Sequence, residues 1–207
     1  MLAHPRRVSL LLMASLLGAA GLTACGNDDA DSLPPPADPP ATSDQSAEEI
    51  SLTPEEEQAV EEAEEVFISF IDAYVEVMAT NEVLETDAGS VLGGRALQYL
   101  TSPLYGEVQQ EIATNYQSGH INDGSLTATR LAVEDVNLDQ GDAPQVTLRY
   151  CFDETQWKIV DQESGETVSD PGNRYSSTIV VTFTIHGTSS SPSWLVSDRT
   201  DHLDEKC

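Results

Sequence analysis

Basic residues are scarce. The 207-residue chain has 9 Lys and Arg against 36 Asp and Glu, a formal net charge of −27. From Cys25 to Gly94 there is neither Lys nor Arg. Nucleic acid and anionic membrane surfaces are held through basic patches, so this balance argues against both as partners. Acidity of this kind reads first as solvation and solubility. Cysteine is equally sparse, with three in the chain, no CxxC and no Cys/His spacing of a zinc site. His120, His186 and His202 are scattered, so no metal and no cofactor are expected. GxSxG, HExxH, the P-loop and GxGxxG are all missing, which removes the common hydrolase, metalloprotease and nucleotide-binding signatures. No apolar run reaches the roughly 20 residues that span a bilayer. No internal repeat is evident.

The first 24 residues have the three parts of an export signal. Arg6 and Arg7 form a basic start without acids, Val8 to about Leu17 is apolar, and small residues follow. The pair Arg6-Arg7 hints at twin-arginine export, but Ser9 stands where that motif has an apolar residue. Leu22-Thr23-Ala24-Cys25 resembles a bacterial lipobox. The resemblance implies cleavage before Cys25, a lipid on its thiol, and attachment to the outer face of the cytoplasmic membrane. Two acyl chains anchor stably where one does not.

With Cys25 lipidated, Cys151 and Cys207 remain as an even pair in an oxidising compartment, and a disulfide between them is expected. Residues 25–51 form an acidic spacer rich in Pro, Asp, Ser and Ala, with Pro34-Pro35-Pro36 and Pro39-Pro40. It lacks the aromatic and β-branched residues that would bury surface, so disorder is expected. Its reach would be about 30 Å if fully flexible.

Residues 52–207 are enough for one domain with one core. Thr53, Pro54 and Glu56 give an N-cap, a first-turn proline and a capping box. Apolar residues at Val60, Ala63, Phe67, Ile71, Tyr74 and Met78 predict an amphipathic helix to about Thr80, with Glu61, Glu65, Asp72 and Glu76 opposite. A short helical piece is expected near Gly94 to Leu100. A second helix should follow Ser102-Pro103 and stop at Gly119. The period then changes to two. Leu126 to Leu138 reads as a strand whose apolar phase slips near Glu134-Asp135, predicting a β-bulge. Val146, Leu148, Tyr150 and Phe152 alternate, with Cys151 on the other face. Trp157 and Ile159 precede a turn at residues 162–165. Ile179 to Ile185 and a segment from Trp194 complete a set of antiparallel strands.

Helices first and an antiparallel sheet after them predict an α+β domain. This order resembles the ketosteroid-isomerase-like, or nuclear-transport-factor-2-like, superfamily. The resemblance implies a long N-terminal helix, with shorter helices, in the concave face of a curved sheet, forming a cone. The stretch from Tyr150-Cys151-Phe152-Asp153 through Trp157 to Trp194-Leu195-Val196 and Cys207 resembles small actinobacterial-type secreted lipoproteins. Within such a cone Tyr74, Tyr150, Trp157 and Phe183 are the candidate ligand-pocket residues. No catalytic residue is assigned. Asp72 lies on the polar stripe, and His120 sits where a cation complements a helix C-terminus. Asp135 to Gly141 departs from a calcium loop in its apolar positions and its missing final Glu. The expected function is a non-enzymatic binding or accessory module for a partner protein or a small apolar ligand. The alternatives are an isomerase- or cyclase-type enzyme and a structural subunit of an envelope assembly.

Overall fold

The computed structural model describes residues 50–86, 89–139, 143–185 and 192–207. The chain divides into two units, Met1–Asp44 and Gln45–Cys207, and the described residues belong to the second. Cys25, the export signal, the proline runs and His186 lie outside them.

Helix α1 spans Pro54–Thr80. The Thr53 hydroxyl accepts from the Glu56 amide at 3.3 Å, and the Glu56 carboxylate accepts from the Thr53 amide at 2.7 Å. The helix stops at Asn81, which is left-handed with φ 54°. The expected apolar stripe is buried, widened by Ala59, Phe70, Ala73 and Val77. Glu61, Glu65, Asp72 and Glu76 are exposed. Phe67 is fully buried, its ring 4.5 Å from that of Tyr150 and 6.2 Å from that of Phe152. Each such aromatic contributes on the order of 2–3 kcal/mol by leaving water. Among the described residues no helix is long and apolar enough to cross a membrane.

A hairpin of β1 (Val83–Thr86) and β2 (Gly89–Leu92) follows. Helix α2 (Gly94–Leu97) and helix α3 (Leu104–Ser118) come next. The step into α3 is a cis Ser102-Pro103 bond, and no side chain caps the helix, contrary to the expected cap. Gly119 ends it in a left-handed turn at φ 69°.

Among the described residues the strands form three antiparallel sheets rather than one. The largest has the order β4 (Thr127–Asn137), β5 (Gln145–Asp153), β8 (Arg174–Ile185), β9 (Pro192–His202). A smaller one has the order β3 (His120–Asp123), β6 (Lys158–Asp161), β7 (Thr167–Ser169), and the hairpin is the third. The fold is α+β. Strand β4 shifts register twice, around Leu131 and around Glu134. The second shift lies where the phase slip predicted it. The first turns Leu131 outward, half exposed, while Val133 pairs with Leu148 and Val136 with Val146 on the inner face. The outer edge of β9 is covered by residues 99–101, whose Leu100 bridges Val196 in parallel, with Thr101 donating to the Val196 carbonyl at 2.9 Å. Covering an edge in this way removes a template for stray strand pairing.

Cys151 on β5 and Cys207 at the chain end form a disulfide, with Cα atoms 5.7 Å apart. It closes 56 residues and fastens the segment that follows β9. The tail also hydrogen-bonds to β8, the Ser176 amide donating to the Glu205 carbonyl at 3.0 Å.

Candidate functional site

At one end of α1 the core opens into a cavity of about 430 Å³, within the usual range for small-molecule sites. Helix α1 supplies Phe70 and Tyr74. Helix α3 supplies Leu104, Glu107, Val108 and Glu111, whose spacing of three and four places them on one face. Asn122 comes from β3, Glu154 and Trp157 from the turn after β5, Ser169 and Asp170 from the end of β7, and Arg199 and Asp201 from β9.

The turn bearing Glu154 and Trp157 is held by close backbone approaches. A Cβ on Gly124, whose φ is 105°, would lie 1.6 Å from the Gln156 carbonyl oxygen. A Cβ on Gly172 would lie 2.5 Å from the Glu154 carboxylate. The Trp157 amide closes the turn onto the Glu154 carbonyl at 2.9 Å, and Glu154 donates its amide to Asn173 at 3.1 Å. Asp153 accepts from the Thr155 hydroxyl at 2.6 Å and from Arg174 at 2.7 Å. The bonds from Thr155, helped by Arg174, lower its carboxyl to about 2.

Among the described residues Arg199 is the cavity's lone cation, facing five carboxylates: Glu107, Glu111, Glu154, Asp170 and Asp201. Its Nε donates to Asp201 at 2.8 Å, its Nη2 donates to the Tyr175 hydroxyl at 2.6 Å, and its guanidinium lies 4.6 Å from the Phe152 ring centre. Tyr175 passes its own proton toward Glu154 at 2.7 Å. On the other wall Tyr74 donates to Glu111 at 2.8 Å. Burial raises both phenols: the Glu111 charge adds to it at Tyr74, and Glu154 adds to it at Tyr175 against the opposing pull of Arg199. Burial works against the Arg199 charge, but Tyr175 and Asp201 outweigh it and keep the guanidinium protonated. The two tyrosines therefore stay neutral donors and the arginine stays a cation near neutral pH.

Two donors on largely buried residues have no protein partner among the described residues and open onto the cavity. The Asn122 side chain, with the residue 5 % exposed, accepts from Asn115 at 3.0 Å through Oδ1, and its Nδ2 is unbonded. The indole N–H of Trp157, with the residue 8 % exposed, is likewise unbonded. Both are free to donate to whatever occupies the cavity.

Of the four pocket residues expected from sequence, the structure brings Tyr74 and Trp157 together in this cavity. Tyr150 does not line it. Its ring is buried against Phe67, and its hydroxyl donates to Glu64 at 3.1 Å. Phe183 lines a separate groove of about 270 Å³ with Trp194, Leu138, Pro144 and the first turns of α1. There the Trp194 indole donates to Glu62 at 2.9 Å. Asp72 is exposed, as its stripe implied. His120 begins β3, and neither His120 nor His202 reaches the cavity; His202 instead contacts Thr178 Oγ1 at 3.1 Å. Asp135 and Asn137 lie in β4, and the Asn137 side chain caps the turn by accepting from the Asp139 amide at 3.0 Å. Gln140 and Gly141 lie outside the described residues. No cluster of metal-ligating side chains occurs among the described residues.

Arg199 was not expected at the site. A bulge hides it: β8 and β9 shift register between Val180 and Val181, leaving Ser197 unopposed. Trp194 and Val196 face inward. Without the extra residue, alternation would turn Asp198 inward, whereas the bulge turns Arg199 and Asp201 to the inner face.

No family model matches the chain, and no curated protein does. Among solved structures the chain is similar to the intermembrane space region of the chloroplast protein ARC6, at 15% identity, over 67% of this chain and 92% of that one, with a TM-score of 0.40. A likeness at that level assigns neither a fold family nor an activity.

Proposed function

We propose that this chain is an extracytoplasmic lipoprotein whose acidic domain is a non-enzymatic binding module. Cys25 carries the lipid, residues 26–51 are the spacer, and the cavity beside Tyr74 and Trp157 is the binding site. The cone of the ketosteroid-isomerase-like superfamily is the architecture this reading adopts. A long helix against the inner face of an antiparallel sheet, open at one end, supports it.

The observation that carries the binding reading is the open, polar cavity with its two unbonded donors. The alternative of proton-transfer catalysis needs a group that gains and loses a proton near neutral pH. Among the described residues no histidine lines the cavity, and its Tyr74 and Arg199 are held in single protonation states. The alternative of an assembly subunit needs a continuous apolar face. Among the described residues the exposed large apolar side chains Ile50, Val83, Tyr116, Leu131, Val168 and Leu203 instead sit on separate segments. The address is supported by the lipobox residues, and the Cys151–Cys207 bridge suits an oxidising compartment.

Two measurements test the proposal. Cys25→Ser should move the protein from salt-washed membranes to the soluble fraction, and retention in the pellet would overturn the anchor. Intact mass should show a diacylated N-terminal cysteine and no free thiol at residues 151 and 207.

A further inference from the structure

We infer that the cavity takes a small cationic amine that also carries hydroxyl or carbonyl oxygens, an inference that rests on the binding-module reading. Arg199 is bonded to Asp201, Tyr175 and the Phe152 ring, and its one positive charge leaves the five carboxylates in excess. Glu111 and Glu154 accept only from neutral phenols. Glu107 and Asp170 have no hydrogen-bond or ion-pair partner among the described residues. A concave site with an excess of one sign of charge concentrates field and draws counter-charged ligands. The apolar part of the lining, with Phe70, Tyr74 and Trp157, is the kind of surface that receives the carbon skeleton and, through the ring faces, an ammonium group.

Carboxylates alone would fit any cation, including a hydrated metal. The second observation narrows the class. Asn122 Nδ2 and the Trp157 indole N–H line the same cavity, each on a residue more than nine-tenths buried, and both lack acceptors. A ligand that supplies only positive charge leaves these donors unmet, whereas one with oxygen acceptors satisfies them. A ligand oxygen on either N–H gives that donor a partner the protein itself does not supply. The predicted ligand therefore presents an ammonium to Glu107 and Asp170 and oxygens to Asn122 and Trp157.

The chain has two tryptophans, so its indole N–H resonances report the two ends of α1 separately. The experiment uses ¹⁵N-labelled full-length mature protein carrying Cys25→Ser. It is titrated with two charge-matched sets: glucosamine, glucose and glucuronate, then ethanolamine, ethylene glycol and glycolate. At least one amine should shift the Trp157 indole and Asn122 side-chain resonances saturably, leave Trp194 in place, and bind about tenfold more tightly than its neutral counterpart. Combining Glu107→Gln with Asp170→Asn should remove that preference, and Glu55→Gln, outside the cavity, should not. Neutral or anionic members binding as well as the amines would overturn the cationic class and leave the binding module standing. Equal shifts at Trp157 and Trp194 would reduce the effect to diffuse counterion attraction. If no member of either set moves Trp157, both the inference and the cavity as a binding site fall.

Discussion

The two tryptophans sit in two grooves at opposite ends of the helix that crosses the core. Trp194 lies beside the first turns of α1, and Trp157 lies near Tyr74, toward its end. Both are 8 % exposed, yet their polar atoms differ. The Trp194 indole is bonded to Glu62, so its groove is closed in hydrogen-bonding terms. The Trp157 indole is open, as is Asn122 beside it. Burial alone therefore does not separate a structural aromatic from a ligand-facing one. What separates them is whether the donor has been satisfied from within the protein.

The disulfide offers the largest perturbation of this contrast. It fastens the tail just beyond the part of β9 that bears Arg199 and Asp201. Replacing both Cys151 and Cys207 with Ser should lower stability by about 4 kcal/mol in the chain-entropy account. The structural consequence should be one-sided. Hydrogen exchange should rise in residues 198–207 and the Trp157 resonance should move, with Trp194 unchanged. Equal disturbance at both indoles would mean the two ends are one cooperative unit.

Arg199→Met keeps the stem that packs against Phe152 and removes the charge. Asp201 then loses its cation, and Tyr175 loses a donor while still giving its proton to Glu154. Hydrogen bonds to charged groups contribute about 1.5–3 kcal/mol, so a loss of about 2 kcal/mol is expected in urea unfolding. The same change should tighten amine binding, because it removes the one positive charge from the lining. Weaker amine binding would mean that Arg199 orients the site through Tyr175 and Glu154.

Trp194→Phe and Trp157→Phe form a matched pair with a smaller effect. The first removes a made hydrogen bond and should cost about 1 kcal/mol. The second removes a donor with nothing to lose in the free protein, and should cost less while weakening amine binding. Thermal unfolding with and without ligand measures both, and a reversal of the order would contradict the assignment of the open end.

The helical half of the molecule was readable because its signals are local. Thr53, Pro54 and Glu56 fix where α1 begins, and the apolar spacing fixes which face is buried. The strand cores were readable too, since Val146, Leu148, Tyr150 and Phe152 alternate without interruption and are all buried. The candidate site was legible only in part. Tyr74 and Trp157 announced themselves as aromatics, but Tyr150 and Phe183 carried the same signal and belong elsewhere. The rest depended on register. One bulge at Ser197 decides that Arg199 faces inward, and another at Leu131 turns an apolar residue to solvent. Alternation predicts the opposite in both cases, because a period of two has no memory of an inserted residue. Glu111 and Glu154 looked like any other acids in an acidic chain, and only their tyrosine partners distinguish them.

The smallest effect tests the turn that carries Trp157. Asp153 is solvent-facing, and its carboxyl is lowered from 3.8 to about 2 by the Thr155 side-chain and backbone bonds and by Arg174. A carboxyl depressed on folding adds stability that is fully present above the unfolded value. That stability is lost as pH falls through the folded value. The window here therefore runs from about pH 4 down to about pH 2. Within it the wild type and Asp153→Asn should converge in urea midpoint, having differed slightly at neutral pH. The Trp157 indole should follow the same titration, since Asp153 anchors the turn through Thr155, while Trp194 should be flat down to the carboxyl of Glu62, itself lowered by Gln58 and Trp194. A Trp157 resonance indifferent to Asp153 would show that Gly124 and Gly172 hold the turn without it, and would move the origin of the open end from side-chain bonding to backbone packing.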